Sequence, residues 1–185
     1  HDFINWNKSL FGNYDIIVGN PPYYESSKLI EKPLVNYGNV YANILDNCSQ
    51  LLNSNSVIGF VLPLSFISTS RMAKIRSILT TRLPKQFILN FADRPDCLFA
   101  SVHQKLSILI ASNAAKKIEV YTSGYKYWYK SERKALLGNT ETVRNYFLND
   151  SRFIPKIANT KEIEIFQKIY CINPKNSFYN ISLKS

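Results

Sequence analysis

Apolar residues arrive along this chain in short blocks, and each block ends at residues that break strands or helices. Asp15 to Gly19 carries Ile16-Ile17-Val18, then a glycine, then Asn20-Pro21-Pro22-Tyr23, which reads as a buried strand halted by prolines. Residues 40 to 52 place Val40, Ile44, Leu45, Cys48, Leu51 and Leu52 at helical spacing, and Asn53 to Ser56 supply a polar exit. Val57 to Leu62 is again continuous and apolar, stopped by Pro63. Ser68 to Ser70 stand where a cap belongs for a helix from Arg71 to Thr81. Gln86 to Phe91 and Leu106 to Ala111 predict two more strands, and Ile118 to Tyr121 is a candidate for another. Thr160 to Tyr170 predicts a helix with Ile163, Phe166, Ile169 and Tyr170 on one face.

The order strand, helix, strand, helix, strand is that of an α/β doubly wound sheet. Its strands carry near-continuous apolar runs, which suits a parallel sheet covered on both faces. Ligands in such sheets sit outside the carboxyl ends of the strands, and two stretches fall there: Asn20 to Tyr23, and the Pro63-Leu64-Ser65-Phe66 turn. At the first of these, two prolines fix φ and hold an amide and an aromatic ring on a stiff backbone. After about residue 130 the apolar runs shorten and polar residues rise, so residues 130–185 read as a connector following a 1–129 domain.

Composition narrows the function classes. The 185 residues are 45% hydrophobic, enough for a core, and carry no apolar run long enough to span a bilayer and no secretory signal. Cys48, Cys97 and Cys171 are odd in number and lack CxxC spacing, so they read as reduced thiols of a cytoplasmic protein, with no metal site expected. The net charge of +10 favours a polyanionic partner, nucleic acid before others. Arg71, Lys74, Arg76, Arg82 and Lys85 form a block without an intervening acid, either a phosphate-contacting face or a solvated helix surface.

Asn20-Pro21-Pro22-Tyr23 resembles the catalytic motif of the amino-group methyltransferases, preceded as in that family by a short hydrophobic strand. Asp2-Phe3-Ile4 resembles the family's earlier acidic motif. Arg94-Pro95-Asp96 with Leu98 to Val102, then Leu106 to Ile110, resembles a segment of DNA adenine-N6 methyltransferases of restriction-modification systems, type IIG-like. Phe153-Ile154-Pro155-Lys156-Ile157 resembles their lead-in to a target-recognition domain. The resemblance covers residues 2 to 170. It implies a partial Rossmann-like sheet, S-adenosylmethionine as cofactor and double-stranded DNA as partner. The family's glycine-bearing cofactor loop comes before the Asp2-type motif. The chain is therefore expected to be the C-terminal half of a catalytic domain, inactive when isolated and partnered by an N-terminal half and a target-recognition domain.

The resemblance also assigns roles. Adenine N6 is a weak nucleophile, reached only when the base leaves the duplex. Asn20 and the Pro21 carbonyl would accept its two hydrogens, Pro22 would hold the turn rigid, and Tyr23 would stack on the base. A ring that only stacks predicts that Tyr23→Phe keeps most activity. Asp2 would accept from the cofactor's adenine amino group, or it is simply a terminal acid. His103 either faces DNA or lies in a loop ahead of a strand. Tyr125, Tyr127, Trp128 and Tyr129 either offer a ring that pinches the flipped base opposite Tyr23 or pack an edge strand. Arg71, in the basic block, is a candidate DNA contact. The same turn also serves methyltransferases acting on protein glutamine or RNA, and a non-catalytic nucleic-acid-binding remnant is the alternative outside enzymes.

Overall fold

The computed structural model describes residues 12–30, 33, 35–99, 103–145 and 153–172. Among these residues six strands form one sheet: β1 (Tyr14–Gly19), β2 (Leu52–Pro63), β3 (Lys85–Phe91), β4 (Leu106–Ser112), β5 (Glu119–Lys126) and β6 (Val143–Arg144), in the order β1-β2-β4-β3-β5-β6. The helices are α1 (Val40–Ser49), α2 (Ser65–Ser68), α3 (Ala73–Arg82) and α4 (Thr160–Ile172). The expected α/β doubly wound plan is present, with one departure from an all-parallel sheet. β1 and β2 are parallel, as are β3 and β5, but β4 sits between β2 and β3 and runs antiparallel to both. The described residues of the connection from β3 to β4 hold no helix, and β4 returns in the opposite direction.

Side chains alternate across the sheet. One face carries Ile58, Phe60, Leu62, Ile88, Leu109, Ala111 and Val120, which pack with Tyr41, Leu45 and Cys48 of α1 and Ile75 and Leu79 of α3. The opposite face is apolar but less covered. Leu89 and Phe91 are buried there with Trp128 and Leu136, whereas Ile16, Val18 and Ile110 remain 69%, 75% and 42% exposed. Coverage of both faces, expected from the apolar runs, therefore holds for one face and only part of the other among the described residues. Chain beyond residue 129 joins the packing too. Ile154 enters the main core, its N–H donating to the Ile67 carbonyl at 2.8 Å.

Two boundaries differ from the sequence reading. α1 stops at Ser49, because the Leu51 carbonyl is taken by the Tyr14 N–H at 2.7 Å and the chain turns straight into β2. The polar run Asn53 to Ser56 is strand, not loop. Several of its polar groups find partners distant in sequence: Asn53 Nδ2 donates to Asp15 Oδ1 at 2.8 Å, and Asn113 bonds both the Asn53 carbonyl and the Ser56 N–H. No side chain caps α3; a 3₁₀ turn over Ser70–Met72 precedes it.

Candidate active site

The parallel strands β1, β2, β3 and β5 all end at one edge of the sheet, and the turn that follows β1 lies on it. Gly19 is the last residue of β1, paired with Phe60, and a Cβ there would stand 3.0 Å from the Phe60 ring. A methyl at position 19 would require the Phe60 ring to give by a few tenths of an ångström. Asn20 is exposed, Pro21 buried, Pro22 exposed and Tyr23 half-buried. The turn thus roots itself through Pro21 and Tyr23, and presents Asn20 outward.

Tyr23 is held on three sides. Its hydroxyl lies 2.8 Å from the Val61 carbonyl and in hydrogen-bond contact with the Asn20 side chain. Its ring meets Tyr41 of α1 edge-on, with centroids 6.3 Å apart and planes at 88°. Tyr41 in turn places its hydroxyl 3.3 Å from Ser65 Oγ at the start of α2. Burial pushes the Tyr23 phenol up to about 12, so it stays protonated at neutral pH. Burial raises the Tyr41 phenol as well, against opposing contributions from Ser65, Arg71 and Arg76. Tyr41 and Val61 are supporting residues that the sequence reading passed over, whereas the turn that carries Ser65 was expected at this edge. Tyr41 carries a signal for it: it lies four residues before Leu45 and seven before Cys48, on the buried stripe of α1.

The other candidates fall elsewhere. Arg71 pairs with Glu25, two residues past the turn, at 3.4 Å, and flanks a groove of about 300 Å³ with Asn36, Tyr37, Gly38 and Lys74. The other two arginines of the basic block have structural partners as well. Arg76 is buried and donates to the Phe66 and Thr69 carbonyls at 2.6 and 2.9 Å; Arg82 binds Asp46 at 2.5 Å. His103 is exposed on the same sheet edge, its Nδ1 3.3 Å from the Asp93 carbonyl.

Tyr125 and Trp128 lie at the far end of that edge. Tyr23 rests its hydroxyl on β2, and three strand spacings, about 14 Å at ordinary sheet geometry, separate β2 from β5. Trp128 is fully buried, with the Arg133 guanidinium 4.9 Å from its ring centroid. The packing alternative is the one the geometry favours for it. Tyr127 and Tyr129, on either side, are each 67% exposed. Asp2 lies outside the described residues, as do Ala100 to Val102 and the Cys171 side chain. Cys48 and Cys97 are buried free thiols. Among the described residues no group of three or more His, Cys, Asp or Glu side chains is placed to hold a metal, and no helix is long and apolar enough to cross a membrane.

Known proteins share both sequence and fold. A candidate type II restriction enzyme and methyltransferase of Methanocaldococcus jannaschii is 25% identical over 170 residues, 88% of this chain. The chain spans only 14% of that relative's length. The solved complex of a nuclease-deletion mutant of the Type ISP restriction-modification enzyme LlaGI with a DNA substrate mimic superposes with a TM-score of 0.58 at 18% identity. It covers 80% of this chain and 18% of the other. A modification subunit of a candidate type I restriction enzyme from Vibrio vulnificus gives 0.55 at 16% identity, covering 89% and 42%. These two likenesses establish the Rossmann-like fold. The sequence match over residues 1–96, just over half of the 185, goes further: the chain belongs to the Eco57I restriction-modification methylase family.

Proposed function

We propose that this chain carries the target-base half of a DNA adenine-N6 methyltransferase active site in a restriction-modification enzyme. The observation that carries the reading is the turn after β1: an exposed Asn20 amide, a buried proline and a half-buried tyrosine at the carboxyl edge of the sheet. Asn20 Oδ1 and the Pro21 carbonyl accept the two N6 hydrogens of an extruded adenine. Pro21 has no N–H to compete for that carbonyl's surroundings, and both prolines keep the acceptors in place before the base arrives. Positive charge grows on N6 during transfer, and two oriented acceptors stabilise it without reorganising. Tyr23 stacks on the base through its open side.

S-adenosylmethionine fits this edge, because among the described residues β1 is the outermost strand of the sheet and Asn20 is exposed at its end. Asp2 would hold the cofactor's adenine amino group. When bound, the cofactor supplies an electrophilic methyl group; the chain's own residues supply the orientation of the nucleophile.

Residues 1–129 then act as the second half of a catalytic domain and residues 130–185 as the connector to a target-recognition domain. The 14% share of the matched relative and the exposed Ile16 and Val18 support a longer working polypeptide, in which further chain lies against β1. The isolated 185 residues would bind cofactor weakly and methylate nothing.

Incubating the full-length protein with adenine-containing duplex and methyl-labelled cofactor, then digesting to nucleosides, tests this reading. Label in N6-methyladenine supports it. Label recovered only in protein glutamine or RNA would transfer the same turn to a different substrate, and no label in any substrate would leave a nucleic-acid-binding remnant.

A further inference from the structure

Tyr23 has one hydroxyl proton, and two oxygens stand within its reach: the Val61 carbonyl at 2.8 Å and the amide oxygen of Asn20. A phenol donates once, and a carbonyl never donates. If the proton goes to Val61, the Asn20 contact sets two oxygens face to face with no hydrogen between them. Oxygen and nitrogen of a side-chain amide are close to interchangeable in shape, and the surrounding hydrogen bonds decide which stands where. Half a turn of the Asn20 amide removes the conflict. Its NH₂ then donates to Tyr23 Oη, and Tyr23 Oη–H donates to the Val61 carbonyl.

That half-turn has a second effect. It takes Oδ1 away from Tyr23 and toward the open side of an exposed residue. We propose that Tyr23 is a positioning residue, whose hydroxyl grips the Asn20 NH₂ and so aims the Asn20 oxygen at the incoming exocyclic amine. This rests on the function proposed above and gives the hydroxyl a role separate from that of the ring.

The anchor of the relay is rigid. Val61 belongs to β2, one residue past the last β1–β2 pair, and is paired with Ile108 of β4 on the other side. Tyr41 fixes the Tyr23 ring edge-on. The phenol, pushed up to about 12 by burial, keeps its proton through the whole working pH range. Without the relay the amide samples both orientations, and the wrong one sets an NH₂ donor against the donor hydrogens of the target amine.

Tyr23→Phe in the full-length protein keeps the ring and deletes the relay. The single-turnover methylation rate should fall about tenfold, the equivalent of one ordinary hydrogen bond. Duplex affinity and the fluorescence of 2-aminopurine at the target position, which reports extrusion, should not change. In an Asn20→Ala background the same substitution should have no further effect, because the amide it orients is gone. Equal losses in both backgrounds, or a wild-type rate for Tyr23→Phe, would overturn the proposal. A readout independent of methylation separates it from the wider functional reading. With selectively labelled asparagine, the Asn20 side-chain NH₂ resonances should show one protected proton in the wild type and none in Tyr23→Phe. Identical resonances in the two proteins would overturn the proposal whatever the substrate, and absence of adenine methylation by the wild type would overturn the functional reading alone.

Discussion

Gly124 of β5 lies against Ala158 so closely that a Cβ on the glycine would stand 2.5 Å from the Ala158 Cβ and 3.2 Å from its Cα. The 153–158 segment is thereby seated on the sheet, with Ile154 and Ile157 buried and the Asn145 amide donating to the Pro155 carbonyl at 3.0 Å. Gly124→Ala should destabilise the fold by about 1–3 kcal/mol, the ordinary cost of an added methyl in a filled space. Adding Ala158→Gly should recover part of the loss. Chemical denaturation of the single and double variants checks this, and additive effects would contradict direct contact.

Trp128 separates packing from recognition. Its ring is enclosed by Leu89, Phe91, Leu136 and the Arg133 guanidinium, which also donates to the Cys97 and Leu98 carbonyls. Trp128→Ala should cost about 3–5 kcal/mol of stability. Tyr127→Ala and Tyr129→Ala, on exposed rings, should leave the unfolding midpoint nearly unchanged. Thermal unfolding compares the three. A Trp128→Ala protein of wild-type stability and weakened DNA binding would return that ring to the base.

Much of this architecture was legible in the sequence, and what was not has identifiable causes. The strand ending before Asn20, the strand stopped by Pro63, the strand over 86–91 and the helix read over 160–170 follow from apolar periodicity and breakers, which act locally. The direction of β4 does not, because an apolar run reads the same forward and backward. Asn53 to Ser56 looked like loop because their partners, Asp15 and Asn113, are distant in sequence. Arg76 looked available for phosphate because nothing near it in sequence shows that it closes the end of α2. The placing of Tyr125 three strands beyond β2 was not legible, because composition carries no distances.

Alkaline titration should report Tyr23. Its phenol moves from the usual value of 10.0 to about 12 in the folded protein, so the native state holds that proton more tightly than the unfolded chain. The corresponding stability is complete below pH 10 and is lost as pH rises from 10 through 12. Urea unfolding across that window should show a shallower decline for Tyr23→Phe than for wild type. Parallel declines would contradict a desolvated phenol at this position.

Duplex binding by the chain should be electrostatic in origin. The +10 charge predicts measurable, sequence-independent association that weakens steeply with salt as counterions are released. Titrating a labelled duplex at low and moderate salt measures it, and equal affinities at both would contradict an electrostatic mode.

Asn20→Ala in the full-length protein bears most directly on the central claim, that the turn after β1 orients adenine N6. It deletes one of two acceptors while Pro21 and Pro22 keep the backbone in place. The rate of N6-methyladenine formation in single turnover should drop by about 10²–10³, the usual effect of removing one oriented polar contact from a transition state. Duplex affinity should stay within about twofold, since an exposed amide that meets only the extruded base adds little to phosphate contacts. Methylation at the wild-type rate would contradict the account and leave Asn20-Pro21-Pro22-Tyr23 as an ordinary strand-terminating turn.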